Sequence, residues 1–250
     1  MRLVGLAVLS ALIGAAAALA VVMGLGLRGG PKPDEAALRQ VVRDTLASEP
    51  QLVVGALQAI DQQRQAASDG ARMAAVAANK DAIYADPNSP SVGPANASVT
   101  IVEFFDYRCP YCKRVAPDIA SLLASDSDLR IVYKEFPILG PESLIASRAA
   151  LAAQRQGKYR EMHEALIASK GEFSEAEILA TAQGIGLDVE RLKTDMNDPA
   201  IMDQLKQVHA LAQALNIDGT PAFFFGARFV GGAVSIDQMR QLIQEARQQG

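Results

Sequence analysis

The sequence predicts an α/β fold: a strand–helix–strand unit, a long helical stretch and a closing strand–strand–helix unit, preceded by an apolar segment and two further helices. Three observations predict it. Val99 to Phe105 and Leu129 to Phe136 are β-branched and aromatic runs, with a helix-like stretch from Pro110 to Ala124 between them. Strand, helix, strand in that order implies a parallel crossover unit. The chain then reads as helix from Pro141 to about Leu215 and returns to strand character at Ala222-Phe223-Phe224-Phe225.

At the N-terminus, Leu3 to Leu27 is uncharged, flanked by Arg2 and Arg28, with Ser10 as its only clearly polar side chain. Such a run enters a membrane. Ala18-Leu19-Ala20 suits cleavage of a secretory signal, whereas the apolar residues beyond Ala20 give enough helix to cross roughly 30 Å of hydrocarbon. Residues 1–30 are therefore a signal peptide or a signal-anchor. Either way the remainder is expected outside the cytoplasm, in the periplasm or cell envelope.

Gly29-Gly30-Pro31-Lys32-Pro33 is a breaker-rich linker. Asp34 can cap a helix whose Leu38, Val41, Val42 and Leu46 recur at helical spacing, and Glu49-Pro50 ends it. A second helix starts near Pro50, carries Leu52, Val53, Leu57 and Ile60, and runs past Met73 and Val76 to about Asn79. Alanine, glutamine and charged residues fill the other positions, so the two helices cannot form a core alone. Residues 34–85 are expected either to pack on the main domain or to self-associate as a dimer or trimer, although no strict heptad runs through them.

Residues 86–250 form the main domain. A loop rich in Pro, Asn and Ser from Asp86 to Ser98 leads into it. The helical insertion, about 141–215, carries break signals at Gly157, Gly171, Gly184-Ile185-Gly186 and Asp198-Pro199. Beyond it, Gly226-Ala227 turns a hairpin between the Phe223 strand and Arg228-Phe229-Val230, and Ser235 caps a last amphipathic helix to Gln248. No internal repeat is visible.

Composition narrows the function classes. The 250 residues carry a net charge of −4, with Lys and Arg scattered, no Trp and 5% aromatic residues. No basic stripe is present and stacking platforms for bases would have to be built from very few rings, which argues against a nucleic-acid partner.

The two cysteines, Cys109 and Cys112, are the only thiols. In an exported chain they cannot build a multi-bridge scaffold. A strand stops just before Cys109, and Pro110 suits the first turn of the next helix because its missing N–H costs nothing there. Unpaired N–H groups and the helix dipole then favour a Cys109 thiolate, with Cys112 one turn on as the resolving thiol. The plainer reading, half of a zinc site, lacks ligands: His163 and His209 have no metal-site spacing and read as surface helix residues. No metal and no cofactor are expected.

Two further signals stand near the pair. Gly219-Thr220-Pro221 precedes a strand that reads as central, where proline is unusual; a cis Thr220–Pro221 bond or an ordinary trans proline at the first strand position are both open. A cis bond would leave a backbone edge free for an extended substrate. Glu103, six residues before Cys109, lies in an otherwise apolar strand. It serves either proton transfer near Cys112 or a salt bridge with Lys134 on the neighbouring strand.

Together, Val102-Glu103-Phe104-Phe105-Asp106-Tyr107-Arg108-Cys109-Pro110-Tyr111-Cys112, Tyr133-Lys134-Glu135-Phe136-Pro137 and Gly219-Thr220-Pro221-Ala222-Phe223 resemble the DsbA-like thioredoxin superfamily, over about Asp86 to Gly250. The resemblance implies a thioredoxin fold interrupted by a helical domain, with Cys109 attacking, Cys112 as its partner, Pro221 as the cis-proline and Glu103 as the acid beneath the disulfide. Pro110-Tyr111 within the motif, Thr220 before the proline and the N-terminal helices look more like ScsC-type and Com1-like members and the dimeric disulfide isomerases. Some ScsC-type members trimerise through such an N-terminal region.

The expected function is thiol-disulfide exchange on exported cysteine-containing proteins, forming or isomerising disulfides, with a membrane partner resetting the pair. The alternatives are an envelope reductase or a module binding a soft cation such as Cu(I). Without a histidine beside Cys109, a milder oxidant than Pro-His enzymes is expected.

Overall fold

The computed structural model describes residues 34–249; the apolar run, with its choice between signal and anchor, lies outside them. Among the described residues no helix is long and apolar enough to cross a membrane. The chain divides into two compact units, Met1–Ala67 and Ser68–Gly250.

The described part of the first unit is helical. Asp34 Oδ1 accepts the Ala36 N–H at 3.0 Å and opens α1 (Glu35–Ser48), and α2 (Gln51–Ala78) follows after Pro50. Both helices have the predicted bounds to within a residue or two. Neither buries a side chain: Leu38, Val41, Val42, Leu46, Leu52, Val53, Val54, Leu57 and Ile60 are all exposed.

In the second unit, the end of α2 is followed by α3 (Lys80–Tyr84), then by β1 (Ser91–Val92), β2 (Val99–Phe105), α4 (Pro110–Ser125) and β3 (Leu129–Glu135). Five helices form the insertion: α5 (Pro141–Gln154), α6 (Tyr159–Ala168), α7 (Glu175–Gly184), α8 (Val189–Met196) and α9 (Pro199–Ala214). The hairpin β4 (Ala222–Phe225) and β5 (Arg228–Gly231) precedes α10 (Ile236–Gln249). The sheet order is β1-β3-β2-β4-β5, with β2 and β3 parallel and every other pair antiparallel. This is the expected parallel crossover with an antiparallel hairpin added to it.

Register explains how the sheet is buried on both faces. Val99, Ile101 and Phe105 share one face with Leu129, Ile131, Tyr133, Phe223 and Phe225, packed by α4 and by the insertion helices α5–α8. Val102, Phe104, Val132 and Phe224 share the other, packed by Ile83 of α3 and by Val208, Leu211 and Ala212 of α9. Burial on both faces is why these strands read as continuous apolar runs rather than as alternating ones. The short β1, inside the stretch read as a loop, adds an antiparallel edge. Just after it, Gly93 has φ +101°, and a Cβ there would meet Leu129 O at 2.2 Å, so the position admits only glycine.

The same register corrects one expectation. Glu103 is paired with Tyr133 and Phe104 with Lys134, so Glu103 and Lys134 lie on opposite faces and form no salt bridge. Lys134 is fully buried; its Nζ donates to Ala82 O (2.6 Å) and Ser89 Oγ (2.7 Å) and lies 3.5 Å from Asp86 Oδ2. The ammonium fixes α3 and the following turn to the sheet.

Candidate redox site

The redox site sits where β2 ends and α4 begins. Cys109 is the N-cap of α4, with extended φ/ψ of −71° and 117°, and Pro110 occupies the first helical position. Both cysteines are thiols and both are buried. Antiparallel pairing of β4 on β2 carries the chain just before β4 to the same end, where the Thr220–Pro221 bond is cis and Thr220 O lies 3.2 Å from Cys109 Sγ. Pro221 O accepts from Gly232 N at 2.8 Å.

The two thiols are polarised in opposite senses. A hydrogen bond from Cys112 is the main influence holding the Cys109 thiol down at about 5; burial opposes it, and Thr220 with the backbone N–H groups of Cys112 and Tyr111 assists. Cys112 is pushed up, first by donating that bond, then by burial and by the nearby Glu103. Glu103, buried beneath the pair, is pushed up to about 8 by desolvation, with the charges of Cys109 and Glu135 adding to it. The structure thus gathers Cys109, Pro110, Cys112, Thr220, Pro221 and Glu103 at one place. Tyr111 points outward, half exposed, with the Arg114 guanidinium 5.0 Å from its ring.

Sequence reasoning missed the residue that shapes the loop ahead of Cys109. Asp106 is fully buried and accepts four hydrogen bonds: Oδ1 from Arg108 N and Ser143 Oγ (both 2.7 Å), Oδ2 from Ile138 N (2.8 Å) and Leu139 N (2.9 Å). It joins the redox loop to the start of the insertion. An Asp two residues ahead of an amide it can bond is the local signal for such a turn.

His163 also departs from expectation. It is buried rather than on the surface, its Nδ1 is 3.1 Å from Tyr107 Oη, its ring stacks on Tyr159, and desolvation pushes it down to about 3. The aromatic side chains of β2 and β3 that enclose it come from other elements, so helical spacing alone could not reveal them. His209 is exposed, beside Gln213. Among the described residues no group of three or more His, Cys, Asp or Glu is placed to hold a metal.

Comparison with known proteins agrees with this geometry. A profile of the DSBA-like thioredoxin domain matches residues 100–244. A thioredoxin-like oxidoreductase from Silicibacter pomeroyi DSS-3 is 43% identical, over 68% of this chain and 98% of its own, with a TM-score of 0.66. ScsC of Proteus mirabilis, in a transitional conformation, is 31% identical over 86% of this chain and 98% of its own (TM-score 0.66). The thiol-disulfide exchange protein α-DsbA2 of Wolbachia pipientis is 32% identical over 72% and 97% (TM-score 0.67). Among curated proteins, a Na(+)/H(+) antiporter NhaA 1 of Salinispora arenicola is 32% identical over 164 residues, 64% of this chain; the chain spans only 25% of that relative's length. With its cysteine pair at Cys109 and Cys112 within the matched stretch, the chain belongs to the DSBA-like thioredoxin family.

Proposed function

We propose that the protein is exported and that it forms and rearranges disulfides in other exported proteins, as a homo-oligomer joined through residues 34–85. The observation that carries the catalytic half is the Cys109 sulfur, favoured as a thiolate at the N-cap of α4 and set against the backbone of Thr220. A backbone edge next to a nucleophilic sulfur suits an extended peptide bearing a cysteine.

In rearrangement, the Cys109 thiolate attacks one sulfur of a substrate disulfide. The Cys109–substrate bond forms as the substrate S–S bond breaks, and the other substrate sulfur leaves as a thiolate. That thiolate attacks a different disulfide, or Cys112 gives its proton to Glu103 and attacks Cys109, releasing reduced substrate and leaving the enzyme oxidised. Disulfide formation is the reverse sequence, with a membrane partner drawing the electrons away. Support for self-association comes from the exposed leucines, valines and isoleucine of α1 and α2, an apolar surface that pairing with copies would bury.

Two measurements test this. Regain of activity in a scrambled disulfide substrate should depend on the chain and vanish for Cys109→Ser; no regain with the unsubstituted chain would sink the rearrangement reading. Acid-trapping and alkylation in cells should find the pair mostly reduced, whereas a mostly disulfide-bonded pair would make it a dedicated oxidase.

A further inference from the structure

A second buried carboxyl stands near the redox pair. Parallel register pairs Glu103 with Tyr133 and Phe105 with Glu135, so Glu103 and Glu135 project from one sheet face, two positions apart on neighbouring strands. Both are buried. Glu135 Oε1 accepts from Tyr107 Oη and from Tyr159 Oη, each at 2.9 Å. Since Tyr107 has one hydroxyl proton and gives it to Glu135, His163 Nδ1 must be the donor in its contact with Tyr107.

Glu135 Oε2 and Ser147 Oγ, the α5 hydroxyl that faces this carboxyl, are both buried, and neither has another hydrogen-bond partner among the described residues. Burial pushes Glu135 up to about 8, against the hydroxyls of Ser147, Tyr159 and Tyr107, which favour its anion. Asp106 acts on it from the redox loop, and Arg160 and Glu164 act on Tyr133 from the outer side of α6. Two desolvated carboxyls so close do not ionise independently.

We propose that Glu135 is a positioning residue of the redox centre: it holds Tyr107, two residues ahead of Cys109, and its charge sets when Glu103 can take the Cys112 proton. In the resolving step the Cys112 S–H proton passes to the Glu103 carboxylate. The Cys112 sulfur lone pair bonds to Cys109 Sγ, the Cys109–substrate S–S bond breaks, and the substrate leaves as a thiolate. Glu103 must be ionised to accept that proton, and a negative Glu135 on the same face opposes its ionisation. This inference rests on the exchange chemistry of the pair, not on the direction or the assembly proposed above.

Glu135→Gln is close in shape to the neutral carboxyl: its carbonyl accepts from both phenols and its amide faces Ser147. The test uses the full chain carrying glutathione on Cys109, and measures glutathione release by Cys112 in rapid-mixing runs across pH. Glu135→Gln should lower the midpoint of the pH–rate profile by about half a unit to one unit. Tyr159→Phe, which removes a donor from the Glu135 anion and touches neither cysteine, should move it the same way by less.

In a Glu103→Gln background neither substitution should shift the profile. An unmoved midpoint in Glu135→Gln overturns the proposal, as does an equal shift without Glu103; should that variant not fold, an unmoved midpoint in Tyr159→Phe does the same. Absence of glutathione release from the unsubstituted chain would overturn the redox assignment, and this inference with it.

Discussion

Residues 34–67 and residues 68–249 place the same aliphatic side chains in opposite surroundings. In α1, Val42 and Leu46 leave 57% and 44% of their surface in water; in β2 and β3, Val102 and Leu129 leave 0% and 1%. Helical spacing organises the first set and strand pairing the second, yet only the second is supplied with partners by its own unit. An apolar stripe therefore establishes an element and its inward side, while what covers that side depends on elements remote in sequence or on another molecule.

The strongest way to break this comparison is to delete side chains at matched depth. Phe104→Ala, which empties a site lined by Phe136 and Phe224, should cost about 3–5 kcal/mol in urea denaturation. Val42→Ala should change the same midpoint by less than about 0.5 kcal/mol when the chain is dilute. Equal losses would mean that α1 is already buried within a single chain.

A smaller effect should appear in mass. Replacing Leu38, Val42 and Leu46 together by serine should reduce the light-scattering mass to that of one chain, with the rate of Cys109 alkylation unchanged. A mass above one chain that the triple substitution leaves unaltered would remove self-association through α1. Trimming the chain to begin at Ser68 should give a monomer, since that cut keeps Ile83 in the core and leaves Lys134 its partners Ala82, Ser89 and Asp86.

A pH dependence should also be confined to the redox unit. The Cys109 thiol is depressed to about 5 in the folded protein, against about 8.5 for a free cysteine. A depressed value stabilises the fold most above the unfolded value, and the contribution disappears as pH falls through the folded one. Reduced protein should therefore exceed Cys109→Ser in stability at pH 9 and lose that advantage by pH 4. Iodoacetamide alkylation should rise with a midpoint near 5; a single midpoint near 8.5 would contradict the hydrogen-bonded thiolate.

Cys109 and Cys112 were legible in the sequence as a pair between a strand end and a helix start, whereas position alone left the Thr220–Pro221 bond open between cis and trans and only the resemblance implied cis. The parallel unit was legible from its two β-branched runs, and α1 and α2 from their spacing. Of the two readings of Glu103, the salt bridge with Lys134 rests on adjacency of strands without their register, and one residue of register moves a side chain to the other face. His163 and Glu135 escaped for a related reason. Their burial is created where α6 crosses β3, and neither helix spacing nor strand alternation encodes that crossing.

Asp106 has a bearing on how such domains can be re-engineered. Two of its four donors come from the segment between β3 and α5 and one from α5 itself, so this carboxylate, with Arg108 bonded to Leu139 O and Glu142 Oε2, keys the insertion to the redox loop. Exchanging residues 141–215 for a different substrate-facing module would leave that carboxylate short of a donor unless a hydroxyl equivalent to Ser143 travelled with the graft. The seam for recombination therefore lies within the first turn of α5 rather than at its outer boundary.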